Sequence, residues 1–296
     1  MIKDKLTGVG VALVTPFTAE GTIDHPRLEQ LVEHVISGGV DYIAALGTTS
    51  ESPTLSDKEK ESVMKTIIQT VLGRVPVIMG LGGPSTDAII LKIKHFDFLG
   101  IDALLTVAPY YNRPSQEGLY QHYKQISYFS PIPIVIYNIQ SRTACNIEAE
   151  TTLSLAEECK NIIAIKEASG NMNQIMKIIN HKPDSFAVIS GDDAITLPLL
   201  AAGADGVISV IANAFPKDFT EMVRAARENR YNDALKLHLG LLDITQACFK
   251  EGNPAGIKAL LQKMGKIDNY LRLPLTPVSE ELQDTINILF DNYRIR

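Results

Sequence analysis

Cysteine is scarce in this sequence. The three present, Cys145, Cys159 and Cys248, form no CxxC pair, and so sparse and odd a set points to a reducing compartment. No apolar run approaches the ~20 residues needed to cross a bilayer. The opening MIKDKLTGVG lacks the apolar core of a secretory leader and runs almost directly into a strand-like segment, so a cytoplasmic location is expected. Basic residues are not in excess. The 28 Lys and Arg face 34 Asp and Glu, a net charge of −6, which gives no reason to expect nucleic acid or an anionic membrane as partner. Metal motifs are missing too. His25, His34, His95, His122, His181 and His238 fall in expected helices or loops, with no HxH or HExxH. Asp192 and Asp193 are adjacent, and neighbours on a strand point to opposite faces. No metal and no cofactor are expected. A glycine-rich nucleotide turn is also lacking: GLGGPS (80–85) has Ser85 at the last glycine position of GxGxxG and reads as a plain turn.

What is present is alternation. The chain has 296 residues, 45% apolar and 21% charged, an ordinary globular balance. Eight short apolar runs recur: 9–17, 41–47, 75–82, 102–109, 132–138, 161–169, 186–193 and 205–213. They lack strict polar alternation, as expected of a parallel sheet covered on both faces. Helix-like segments lie between them. The first opens at Asp24 with Pro26 just inside and stops at Gly38-Gly39. The second opens on SDKE (56–59), a capping-box pattern. Others begin near Ser85, Ser115, Glu148, Asn171, Ala194 and Pro216. Eight strand–helix units predict a closed (β/α)8 barrel, a TIM barrel, over residues 1–228. A doubly wound open sheet is the alternative. Helical stretches at about 230–249, 254–264 and 279–292 predict a small C-terminal helical extension, residues 229–296.

In such barrels the chemistry sits at the C-terminal ends of the strands. These ends carry Thr48 and Thr49, Tyr110 and Tyr111, Tyr137, Arg142 and Lys166. Lys166 closes an apolar strand, IIAIKEAS (162–169). A buried ammonium is costly unless paired, so Lys166 is either an ion-pair partner of a carboxylate such as Glu167 or a nucleophile. Desolvation lowers a lysine pKa, and a neutral amine attacks a ketone to form an imine. That chemistry needs a hydroxyl relay, for which Tyr137 and Thr48 are candidates. Ala164, two residues before Lys166, leaves room beneath it.

GTTSES, TVAPYYNRPSQEGLYQHY, IVIYN, SRT, AIKEASGN, SGDDA and GVISV closely resemble the dihydrodipicolinate synthase family, and the similarity runs along essentially the whole chain. The resemblance implies a lyase of class I aldolase type in the diaminopimelate route to lysine. It would condense pyruvate with L-aspartate 4-semialdehyde to give 4-hydroxy-tetrahydrodipicolinate. Lys166 would carry the imine, Tyr137 would be the general acid/base, and Thr48 would link it to a Tyr111 supplied by the neighbouring subunit. The usual assembly is a homotetramer of two tight dimers. Thr49, with Thr48, would hold the pyruvate carboxylate, and Arg142 the semialdehyde carboxylate. Gly191 and Ile208 would contribute backbone groups near Lys166.

Departures accompany the resemblance. Gln140 and Ala144 replace a proline and a glycine around Arg142, so that loop is expected to be less rigid or shifted. Ser50 stands where the family has glycine. Lysine-inhibited relatives carry polar and acidic groups where this chain has Asp57, Lys60, Pro84 and Ala88, which implies weak or absent lysine feedback. A sister pyruvate-dependent aldolase, N-acetylneuraminate lyase or a 2-keto-3-deoxy sugar acid aldolase, would share Lys166 and Tyr137. Arg142 favours a small carboxylate-bearing aldehyde over a polyhydroxylated one. A non-catalytic keto-acid-binding barrel would be expected to have lost the lysine or a relay residue, and all are present.

Overall fold

A computed structural model describes residues 6–295; the first five residues of MIKDKLTGVG lie outside it. The eight apolar runs form eight strands: β1 Gly8–Ala12, β2 Tyr42–Ala45, β3 Val77–Gly80, β4 Ala103–Val107, β5 Ile134–Asn138, β6 Ile162–Glu167, β7 Ala187–Ser190 and β8 Gly206–Ser209. All neighbours pair in parallel, and β1 pairs with β8, closing the barrel. Closure decides against the open sheet. The strands are buried on both faces, which explains their continuous Val/Ile content.

Helices cover the outside: α1 His25–Ser37, α2 Asp57–Val71, α3 Thr86–His95, α4 Gln116–Phe129, α5 Gln140–Thr143, α6 Ala149–Glu158, α7 Met172–His181, α8 Thr196–Ala201 and α9 Pro216–Arg227. Their starts follow side-chain caps. Asp24 accepts from Arg27 N at 3.0 Å, and Ser56 and Glu59 form a reciprocal capping box. Ser85, Ser115 and Asn171 cap α3, α4 and α7. The one-turn helix α5 carries no side-chain cap and no periodic signal in the sequence. A 3-10 turn at Asp193–Ile195 precedes α8.

The two ends of the barrel are built differently. At the N-terminal end, Asp41, Asp102 and Asp205 accept from the N–H groups of Val9, Val77 and Val188 at 2.7, 3.0 and 2.8 Å. Each carboxylate braces the start of the preceding strand. The C-terminal end instead gathers the loops with candidate chemistry. One irregularity matters there. Ile134 pairs with Ile162, but Val135 pairs with Ala164, so Ile163 is an extra residue in β6. This bulge brings Lys166 opposite Tyr137; an unbroken register would align it with Asn138.

After α9 follow α10 Tyr231–Lys250, α11 Ala255–Lys263 and α12 Glu280–Ile295. They share the core of the barrel. The Phe215 ring meets the Tyr293 ring at 4.9 Å between centroids, and Tyr293 donates to Asp218 at 2.7 Å. A buried ion pair, Lys258–Glu51 at 2.5 Å, ties α11 to the loop after β2.

Candidate active site

Lys166 is 5% exposed and lies inside the barrel mouth. Its ammonium stands 4.4 Å from the centroid of the Tyr137 ring. It does not use Glu167. That carboxylate, on the opposite face of β6, accepts from Asn138 Nδ2 and Ser169 Oγ. Burial lowers the Lys166 pKa to about 8; the Asp193 carboxylate pulls it partly back up, and the Arg142 guanidinium pushes it down. Burial raises the Tyr137 pKa to about 12, opposed by the Arg142 charge and by a hydrogen bond with Thr48. The pair is therefore an amine within reach of its neutral form beside a phenol that keeps its proton.

The loop after β2 carries Thr48 and Thr49. Its backbone is strained at both ends, with φ of 55° at Leu46 and 54° at Glu51. Ser50 holds it against the end of β1: its hydroxyl donates to Leu13 O at 2.6 Å, and Thr15 donates to Ser50 O at 2.8 Å. The first of these bonds is one that a glycine lacks. Thr49 is buried and takes a hydrogen bond from Asn253 Nδ2 at 2.8 Å.

Arg142 sits on α5, and its guanidinium donates to Asn253 O at 3.4 Å. The capping residue of this short helix is Ala144. Ala144 keeps a left-handed φ of 55°, and its N–H donates to Gln140 O at 2.9 Å. Alanine bears a strain there that glycine would avoid. Gly191 N donates to Glu167 O at 2.7 Å. A Cβ at Gly191 would stand 2.7 Å from Ala168 Cβ and 3.0 Å from Lys166 Cε, so the absent side chain leaves the lysine its space. Ile208 is buried in β8, two strands along from Lys166. A cleft of about 680 Å³ opens beside these strand ends, lined by Arg142, Ala168, Gly191 and Asp192 from the barrel and Gln246 and Lys250 from α10. Tyr111 stands apart: it is 93% exposed with φ of 75°, and faces outward from its own chain.

Two residues escaped the sequence reading. Asp193 is buried, and its Oδ2 accepts from Val210 N and Ile211 N, both at 2.9 Å, while Oδ1 has no partner. Burial raises its pKa to about 6. Its neighbour Asp192 instead caps the following turn through Ala194 N. The pair does not lie on a strand, as the sequence suggested: β7 ends at Ser190, and the two carboxylates part because Asp192 caps the 3-10 turn that Asp193 opens, while Asp193 reaches the N–H groups after β8. Asn253 comes from the segment between α10 and α11, more than 200 residues from Thr49. No local pattern announces it.

A sequence profile described as the dihydrodipicolinate synthetase family matches residues 5–292. The 4-hydroxy-tetrahydrodipicolinate synthase of Phocaeicola vulgatus is 47% identical over the whole of both chains. The chain belongs to the dihydrodipicolinate synthetase family. Solved structures agree. The chloride-inhibited dihydrodipicolinate synthase of Acinetobacter baumannii, complexed with pyruvate, superposes with a TM-score of 0.95 at 40% identity, covering 98% of this chain and 100% of that one. A monomeric dihydrodipicolinate synthase variant superposes at 0.96 and 39% identity, with 99% of each chain covered.

Of the positions expected to depart from a lysine-clasping site, Asp57 and Lys60 line a second, smaller cavity of about 210 Å³. Asp57 is engaged by Lys92 at 2.9 Å and Lys60 at 3.6 Å. Pro84 offers its carbonyl to Asn112, and Ala88 offers its N–H to Ser85.

Proposed function

We propose that this chain is a 4-hydroxy-tetrahydrodipicolinate synthase working through an imine on Lys166. The observation that carries the reading is the pairing of Lys166 with Tyr137. A lysine pKa of about 8 leaves about a quarter of the amine neutral at pH 7.5, against about a thousandth at the ordinary value. The neutral amine attacks the pyruvate ketone. Tyr137 supplies the proton that lets the carbinolamine lose water, and Thr48 orients and resupplies that hydroxyl. Loss of a methyl proton gives the enamine, whose carbon bonds to the aldehyde of L-aspartate 4-semialdehyde. The substrate amine then attacks the imine carbon, closes the ring and releases Lys166 as the free amine. The complete cycle returns the enzyme with Lys166 as a free amine.

Thr48 and Thr49 would hold the pyruvate carboxylate and Arg142 that of the semialdehyde, through charge-assisted and hydroxyl hydrogen bonds. Gly191 and Ile208 are assigned to the floor and backbone lining beside Lys166. The relatives support the substrate, since the Acinetobacter baumannii enzyme is complexed with pyruvate. The outward Tyr111 favours an assembly in which it enters a neighbour's site, so a homodimer at least, and a homotetramer as the working form, is proposed. Residues 229–296 are read as an extension that completes the site rather than a separate unit. Among the described residues no helix is long and apolar enough to cross a membrane, and a cytoplasmic location is proposed with the biosynthetic role.

The test is an aldehyde panel with pyruvate. Turnover confined to L-aspartate 4-semialdehyde supports the synthase. Preference for N-acetylmannosamine or a sugar-acid aldehyde would make the chain a sister aldolase instead.

A further inference from the structure

We infer that Asn253 is a positioning residue that turns the Thr49 hydroxyl toward the pyruvate carboxylate; the inference rests on the reading of Thr49 as a carboxylate-binding group. Three observations carry it. Asn253 is only 7% exposed, and its Nδ2 donates to Thr49 Oγ1 at 2.8 Å. A hydroxyl has one proton and accepts through its lone pairs. With Asn253 donating to that oxygen, the Thr49 proton is left to donate elsewhere, and the barrel mouth is where a carboxylate would receive it. Asn253 Oδ1 is buried without a partner, so the amide makes a single side-chain bond, and that bond is to Thr49.

The position of residue 253 is fixed from both sides. Five residues on, Lys258 is fully buried against Glu51 at 2.5 Å and donates to Tyr270 O at 2.9 Å. Glu51 lies two residues after Thr49, so the buried ion pair ties α11 to the threonine loop. On the other side, a Cβ on Gly256 would collide with the Cys248 carbonyl, which marks a close crossing of α10 and α11. The Asn253 carbonyl, separately, accepts from Arg142 at 3.4 Å. The side chain thus serves one anion-binding group and the backbone the other. This division makes the inference separable: changing the side chain should disturb pyruvate and spare the semialdehyde.

The experiment is steady-state kinetics on the full chain with Asn253→Asp, Asn253→Ala, Thr49→Val and the Thr49→Val/Asn253→Ala double variant. Asp is nearly isosteric but can only accept. It would take the Thr49 proton and set a negative charge beside the carboxylate site. The expected result is a rise in pyruvate KM of about tenfold or more for Asn253→Asp and about threefold to tenfold for Asn253→Ala, with semialdehyde KM within about twofold. In the Thr49→Val background, Asn253→Ala should add less than about twofold. A merely structural residue would lower thermal stability and affect both substrates alike. An unchanged pyruvate KM in Asn253→Asp overturns the inference, because an amide facing Thr49 with its oxygen would be mimicked by Asp. An equal effect of Asn253→Ala with and without Thr49 overturns it as well, and keeps it falsifiable if the Asp variant does not fold. Failure of the wild type to form a borohydride-trapped pyruvate adduct overturns the functional reading and this inference together. A trapped adduct with unmoved KM values overturns this inference alone.

Discussion

Tyr137 and Lys166 are register partners across β5 and β6, and the Lys166 ammonium stands 4.4 Å from the Tyr137 ring centroid. The arrangement depends on the extra residue Ile163 in β6. It sets a phenol and a desolvated amine on one face of the barrel mouth, where an imine can be formed and protonated.

Replacing Tyr137 by Phe keeps the ring over the ammonium and removes only the hydroxyl. We expect kcat to fall by about 10²- to 10⁴-fold, the usual contribution of a positioned acid or base, with the melting temperature little changed. A near-wild-type rate in a coupled assay would take Tyr137 out of its role.

Asp193 holds the Lys166 pKa up against burial. In the wild type, kcat/KM for pyruvate should rise with pH through an inflection near 8 as Lys166 loses its proton. Asp193→Asn removes the negative charge, so the protonated form is less favoured and the inflection should move to lower pH. A pH–rate profile whose acid limb stays put or moves up would show that the Asp193 charge is not felt at Lys166.

Lys258 and Glu51 are both fully buried in their ion pair. Lys258→Met leaves a buried carboxylate without its partner, and we expect a loss of about 3–5 kcal/mol in denaturant unfolding. Adding Glu51→Gln should recover a large part of it. A double variant as unstable as the single one would place the damage in packing rather than charge.

Asp57 is engaged by two lysines, and Ala88, one of the positions where lysine-inhibited relatives are expected to carry polar or acidic groups, has only a methyl side chain. Nothing on that residue meets a ligand ammonium. We expect L-lysine at physiological concentration to leave the rate essentially unchanged. Inhibition in an initial-rate titration would contradict this.

Much of this was legible in the sequence. The runs rich in Val and Ile gave the strand count, Asp24, Ser56, Ser85 and Ser115 marked helix starts, and strand ends located Lys166, Tyr137, Thr48 and Thr49. What stayed hidden is tertiary. The β6 bulge leaves no mark in the composition of IIAIKE, the short α5 lacks a cap, and Asp193 is set apart from Asp192 by a 3-10 turn past the end of β7 that the run SGDD does not reveal. Asn253 reaches Thr49 only because the chain folds back over the barrel mouth. Ala144 caps α5 in a left-handed conformation, which costs an alanine about 1–2 kcal/mol.

The most direct test is to reduce the enzyme with borohydride in the presence of pyruvate and map the adduct by peptide mass spectrometry. The account expects a single reduced pyruvate adduct, on Lys166, and its loss in Lys166→Ala. A folded protein that gives no adduct, while a control aldolase treated in parallel does, would contradict it.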